Sequence, residues 1–99
     1  MGFKSDKNRI LADLSDLNFD SQAREAEKNH LASGFLSAEE AAEIVKSTSG
    51  LNHRNEPHAQ ARSIQVWIME PEVNGVRWYI KGYFTGDQTW FISFHPSEY

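Results

Sequence analysis

The stretch that decides the fold is Ser63 to His95, SIQVWIMEPEVNGVRWYIKGYFTGDQTWFISFH. Apolar and polar residues alternate through it in three runs, separated by turn signals at Pro71 to Gly75 and at Gly86-Asp87-Gln88. Period-two alternation is the mark of half-buried strands, so the spacing predicts a three-stranded, or slightly larger, antiparallel meander with two unlike faces. One face collects Ile64, Val66, Ile68, Val76, Trp78, Ile80, Phe84, Trp90, Ile92 and Phe94 and can wall a core. The other carries Gln65, Trp67, Met69, Arg77, Tyr79, Lys81, Tyr83, Phe91, Ser93 and His95. That mixture of donors, titratable groups and flat rings is where chemistry is expected.

Keeping the apolar residues on one side also bounds the pairing, because a one-residue slip turns a whole strand over. A short second turn sets Tyr79 opposite His95 and Lys81 opposite Ser93. The first turn is longer, and a register that keeps the faces sorted puts Gln65 opposite Lys81 and Trp67 opposite Tyr79. Gln65, Tyr79, Lys81 and His95 then fall in one cross-strand neighbourhood, where opposed Cβ atoms lie about 5 Å apart.

Upstream, the period changes. Ile10, Leu11, Leu14 and Leu17 recur at helical spacing and predict a helix from Ser5 to about Leu17, capped by Ser5 or Asp6. A second helix is expected from about Ser21 to Ala32, with Asp20 as its cap and Gly34 just past its end. The third is the best signalled: Ser37-Ala-Glu-Glu40 is a capping box, Ala41, Ala42, Ile44 and Val45 form the apolar stripe, and Ser49-Gly50 ends it. Leu51 to Arg62, LNHRNEPHAQAR, reads as an exposed loop. Its length exceeds the usual ~4–6 residues, which favours a functional connection. It carries His53, Arg54, His58 and Arg62, all able to meet a phosphate. The expected architecture is α+β: one domain over residues 1–99, helical to 50, a loop over 51–62 and an antiparallel sheet over 63–95, with the helices on one sheet face.

Composition narrows the function. The 99 residues suffice for a single core. The absence of cysteine excludes disulfides, thiolate zinc sites and a cysteine nucleophile. No apolar run approaches the ~20 residues of a membrane span, and MGFKSDKNR has neither a secretory h-region nor the myristoylation pattern, so cytoplasmic residence without membrane contact is the expectation. The net charge of −4 requires any nucleic-acid reading to find a local basic field. Residues 1–49 hold six Lys/Arg against nine Asp/Glu, and residues 50–99 hold four against five plus three histidines, so the sheet half is nearer neutral.

The run WYIKGYF and the closing FISFHPS, after three helical segments, resemble the RelE-like ribonuclease toxins of bacterial toxin–antitoxin pairs, and most closely the motility quorum-sensing regulator toxins. The resemblance covers about the last forty residues, and the helices by their order. It implies a RelE- or barnase-like fold and a metal-independent endoribonuclease that cleaves mRNA, needs no cofactor and is held in check by a protein antitoxin. It also implies a tyrosine on the penultimate strand, matched by Tyr79, a glutamine on the preceding strand, matched by Gln65, and a basic group on the last strand, where His95 stands in place of lysine. His58 or His53 takes the place of the upstream basic residue.

RNA cleavage by its own 2′-hydroxyl needs a base for that proton, an acid for the leaving 5′-oxygen and cations around the phosphate. Histidine can serve as either acid or base at neutral pH. Lys81 and Arg77 point the same way from one strand and can clamp a phosphate. Trp67, Tyr79 and Tyr83 can stack unpaired bases. The expected catalytic set is therefore His95, Tyr79, Lys81, Gln65 and His58. Arg77, Arg62, Trp67, Tyr83, His53 and Arg54 are expected to bind substrate, and no metal site is expected. A competing arrangement buries Tyr79, Tyr83 and Trp67 as a second small core. A competing function is a non-catalytic antitoxin, immunity or inhibitor protein that binds its partner through Trp67, Tyr83 and Phe91.

Overall fold

Asn74 and Gly75 take φ of 51° and 80°, the pair of left-handed conformations that closes a two-residue type I′ hairpin. In the computed structural model, which describes residues 2–21, 29–59, 61 and 63–97, this turn joins β4 (Glu72–Val73) to β5 (Val76–Thr85). Val73 faces Val76 and Glu72 faces Arg77. The same register continues into β3 (Gln65–Met69), where Met69 meets Ile80, Ile68 meets Lys81 and Trp67 meets Gly82. Trp67 was expected opposite Tyr79, three residues away. Three is odd, so every β3 side chain changes face. Trp67 and Met69 enter the core, 1% and 0% exposed, and Val66 and Ile68 lie on the polar side.

The last hairpin closes on Gly86-Asp87, with Thr85 opposite Gln88 at the start of β6 (Gln88–Pro96). Tyr79 pairs with His95 and Lys81 with Ser93, as expected. Between Lys81 and Gly82 the register shifts, and Gly82 meets Phe91. Ile92 is thus a bulge residue, which lets Phe91 and Phe94 share the core side despite their odd spacing. Phe91 is fully buried, not on the polar face, and Trp90 stands opposite Tyr83, not in the core. The buried Asn29 fastens the bulge. Its Nδ2 donates to the carbonyls of Phe91 and Ile92 at 3.3 and 3.4 Å, while its Oδ1 accepts from Ala32 N at 3.0 Å as the cap of α2 (His30–Ser33).

Two more strands widen the sheet beyond the expected meander. β1 (Phe19–Ser21) runs parallel to β6, Phe19 beside Thr89. β2 (His53–Pro57) is antiparallel to β3. The result is a mixed six-stranded sheet in the order β1-β6-β5-β3-β2, with β4 also on β5. Residues 51–62 are therefore not simply a loop: a 3₁₀ turn at Gly50–Asn52 leads straight into β2. β1 occupies the place where the second helix was expected to begin, and the described part of that helix is only α2, ended by Gly34 at φ 85°. Residues 22–28 lie outside the described residues.

The first helix, α1 (Phe3–Ser15), begins earlier than its side-chain caps suggested, with Gly2 at the N-cap. Asp6 is instead turned inward, 2% exposed. α3 (Ala38–Lys46) opens with the expected capping box between Ser37 and Glu40. Lys7 holds the two helices together, donating to the carbonyls of Lys46 and Thr48 at 2.8 and 2.9 Å. Ile10 and Leu14 of α1 and Ala41, Ile44 and Val45 of α3 pack on Trp67, Met69, Ile80, Phe91 and Phe94. This is an α+β domain with the helical layer on the Trp67 side. Among the described residues no helix is long and apolar enough to cross a membrane.

Gly82 has no room for a side chain. A Cβ there would sit 2.4 Å from the Trp90 carbonyl oxygen and 2.6 Å from Trp67 Cζ2. Gly82→Ala should lower stability by about 1–3 kcal/mol, the usual cost of overpacking, as measured by urea denaturation; an unchanged midpoint would mean that the Trp67 ring is not seated against β5.

Candidate active site

Among the described residues, the face opposite the helices is built by strands: Arg54 and Glu56 of β2, Val66 and Ile68 of β3, Tyr79, Lys81 and Tyr83 of β5, and Trp90, Ser93 and His95 of β6. Its floor is apolar. Val66 and Ile68 are each 1% exposed although they stand outside the main core cluster. Ile68 is flanked by Arg54 on one side and Lys81 on the other, and Val66 by Glu56. Lys81 Nζ lies 3.8 Å from Glu56 Oε1. Since β2 and β5 are the two neighbours of β3, this pair bridges over the β3 side chains and closes water out.

Toward one end of the face, Arg54 donates to Glu70, which follows β3 directly. Tyr79 and His95 stand side by side there, ring centroids 5.6 Å apart with 38° between planes. Burial pushes the Tyr79 phenol above its ordinary pKa; Arg54 partly offsets this, and Glu56 and Glu70 add to it. The phenol therefore keeps its proton throughout the neutral range. Arg54 is held even more firmly cationic than usual, chiefly by its bond to Glu70. His95 Nδ1 lies 2.8 Å from the Pro96 carbonyl. A carbonyl can only accept, so Nδ1 carries the proton, and in the neutral ring Nε2 keeps its lone pair.

The other end of the face is aromatic. Tyr83 lies against Trp90, centroids 6.3 Å apart, and edge-on to His58 at 5.5 Å. Tyr83 is four residues beyond Tyr79, about 13 Å along the strand, so this cluster is separate from the Tyr79–His95 pair. At the opposite rim, a cleft of about 290 Å³ is lined by Leu51, Asn52, His53, Arg54, Glu70 and Arg77.

Five of the expected site residues, Tyr79, Lys81, His95, Arg54 and Tyr83, are gathered on this face, and Arg77 joins them at the cleft. Four are not where the sequence put them. Gln65 shares the face of Trp67, on the helix side of the sheet, because of the odd shift in register. Trp67 is a core residue and not a stacking platform; its indole N–H meets no acceptor among the described residues. His58 stands by Tyr83, away from Tyr79. His53 is not on a loop: it is the first residue of β2, and its Nε2 is 3.0 Å from Asp6 Oδ2 on α1, where Asn55 Nδ2 also donates at 3.4 Å. Arg62 lies outside the described residues. Sequence reasoning missed Trp90, Glu56 and Glu70, the first because the bulge was not anticipated. Among the described residues no group of three or more His, Asp or Glu is placed to hold a metal ion.

Compared with known proteins, the chain matches no family model, no curated protein and no solved structure.

Two titrations test these electrostatics. Tyr79 should ionise above free tyrosine in an alkaline absorbance titration referenced to Tyr79→Phe, and Arg54→Ala should move it higher still by removing the only offsetting charge named above. At acid pH the informative group is His30, whose ring is edge-on to Trp78 at 6.0 Å. Burial, with a smaller contribution from the charge of His95, lowers its pKa below 6.5. The unfolded chain then binds the proton more readily than the folded one, so stability is complete above about pH 6.5 and falls as pH drops through the lowered folded value. His30→Gln should flatten that limb of the denaturation midpoint against pH; an unaltered limb would assign the acid sensitivity to other groups.

Proposed function

We propose that the chain is a metal-independent endoribonuclease that cleaves single-stranded mRNA, the RelE-like toxin of a bacterial toxin–antitoxin pair acting in the cytoplasm and restrained by a protein antitoxin. The observation that carries the reading is the Tyr79–His95 pair, 5.6 Å apart across the β5–β6 ladder and flanked by Arg54 and Lys81 on the strand face away from the helices.

The chemistry follows from the protonation states. His95 Nε2 takes the proton of the ribose 2′-hydroxyl, and the 2′-oxygen attacks the adjacent phosphorus. Arg54 and Lys81 hold the charge that builds on the non-bridging oxygens. The bond from phosphorus to the 5′-oxygen breaks, and that oxygen takes a proton from the Tyr79 phenol; the proton held by His95 then returns to the phenolate through water, which resets both groups. The products are a 2′,3′-cyclic phosphate and a free 5′-hydroxyl. Glu70 and Glu56 pre-orient the two cations in the free protein and must yield to the incoming phosphate. Tyr83, Trp90 and His58 offer flat surfaces for unpaired bases, and the cleft at Arg54 and Arg77 can receive a further nucleotide.

The rival reading, a non-catalytic binding protein, drew on Trp67, Tyr83 and Phe91 as anchors. Trp67 and Phe91 are 1% and 0% exposed, which leaves it Tyr83 alone.

The test is cleavage of a long RNA in EDTA. His95→Ala should lower the rate at least ~100-fold, the scale of a lost general acid or base, and Tyr79→Phe should also lower it, both with unchanged circular dichroism. Wild-type expression without a partner should arrest growth, and the His95→Ala chain should not. Equal activity in the His95 variant, or harmless wild-type expression with intact RNA, would reject the assignment.

A further inference from the structure

β2 is the end strand of the sheet among the described residues, and one of its sides pairs with β3. Which of its backbone groups face outward can be read from the flanking bonds. His58 N donates to Ile64 O at 2.9 Å and Glu70 N to Asn52 O at 2.9 Å. Even-numbered positions therefore bond inward to β3, and the N–H and C=O groups of the odd-numbered residues, His53, Asn55 and Pro57, point away from it. Pro57 lacks an N–H and so loses no bond to β3. Arg54 and Glu56 project from the strand face already described, and remain 54% and 46% exposed at their side chains. Leu51, just ahead of the strand, is 97% exposed.

We propose that this edge pairs with the same edge of a second copy of the chain, antiparallel and centred on Asn55, so that two sheets join into one. The charges of the strand select this register over its neighbours. Centred on Asn55, Arg54 of each copy faces Glu56 of the other, a favourable cross-strand pair made twice by symmetry. Centred on Arg54, the strands oppose arginine to arginine. Centred on Glu56, they oppose glutamate to glutamate. Proline makes the same choice. In the Asn55-centred register, the Asn55 N–H groups donate to the Asn55 carbonyls reciprocally, and each His53 N–H donates to the Pro57 carbonyl of the second copy. Pro57 is asked only to accept.

The two-fold axis of such a pairing stands perpendicular to the sheet, so both copies keep their helices on one side and their Tyr79–His95 faces on the other. Arg54 then meets Glu56 of the second copy beside its own Glu70. The pairing stands on the edge geometry and not on the nuclease reading, and either can fail without the other.

Sedimentation equilibrium tests it. The wild type should approach twice the 11.3 kDa chain mass as concentration rises, and high salt should weaken the association. Arg54→Glu opposes glutamate to glutamate in its homodimer, and Glu56→Arg opposes arginine to arginine, so each alone should stay monomeric. Mixed together they should associate, because every facing pair is then of opposite sign. In the wild type, hydrogen exchange at the His53 and Asn55 amides should slow with concentration, while the Arg54 and Glu56 amides, bonded to β3, should not respond. A wild type that stays monomeric at its solubility limit overturns the proposal. So does a dimer that survives both single reversals, or one whose His53 and Asn55 exchange ignores concentration. Should the variants fail to fold, the exchange measurement on the wild type decides alone.

Discussion

The hairpin turn at Asn74-Gly75 is the constraint on which the rest depends. Two consecutive left-handed residues fix a two-residue loop, and a two-residue loop fixes the pairing from Val73–Val76 back to Trp67–Gly82. That pairing turns Trp67 and Met69 toward α1 and α3 and turns Val66 and Ile68 away. The large indole then needs space on β5, which Gly82 supplies by having no side chain. A register displaced by one residue would put the tryptophan on the polar face and leave the helices a strand of smaller side chains to pack against.

A second adjustment keeps β6 compatible with this arrangement. Phe91 and Phe94 are three apart and cannot share a side of a regular strand, so the strand absorbs Ile92 as a bulge, and the carbonyls it displaces are satisfied by the Asn29 amide. Two buried carboxylates of α1 are matched in the same economical way. Asp6 on α1 receives His53 and Asn55 from β2, and Asp13 receives the Thr89 hydroxyl from β6. Each ties a helix to one strand at a defined place. On the far face, exposed pairs such as Arg54–Glu70 and Lys81–Glu56 add about 0–1 kcal/mol apiece to stability; their larger effect is to fix the direction of the cations.

Much of this was legible in the residues. The alternation over Ser63 to His95 identifies the three long strands, the Ser37–Glu40 capping box marks α3, and the short last turn places Tyr79 beside His95. The register of β3 was also within reach: Asn-Gly between apolar runs is the strongest local hairpin signal, and sorting the faces by hydrophobicity alone hid it, because β3 is buried on both sides and its sequence does not say which side meets the helices. β2 was not legible. HRNEP has little strand propensity and contains a proline, and it is a strand because β3 offers it an edge. β1, three residues long, depends in the same way on the free side of β6. As for the site, Tyr79, Lys81 and His95 followed from local pairing; Gln65 and Trp67 turned over with the β3 register, and His53 depended on a contact with Asp6, distant in sequence.

The parallel ladder between β1 and β6 joins Phe19–Ser21 to residues at positions 89–91, about seventy residues later in the sequence. Contacts of such separation are slow to form, and on the ribosome they cannot form until the final strand has emerged. Tyr79 has no neighbouring imidazole before that moment. The constellation therefore exists only once β6 has been added and has paired, and a polypeptide released before His95 would carry the phenol and both cations but lack the group that abstracts the proton.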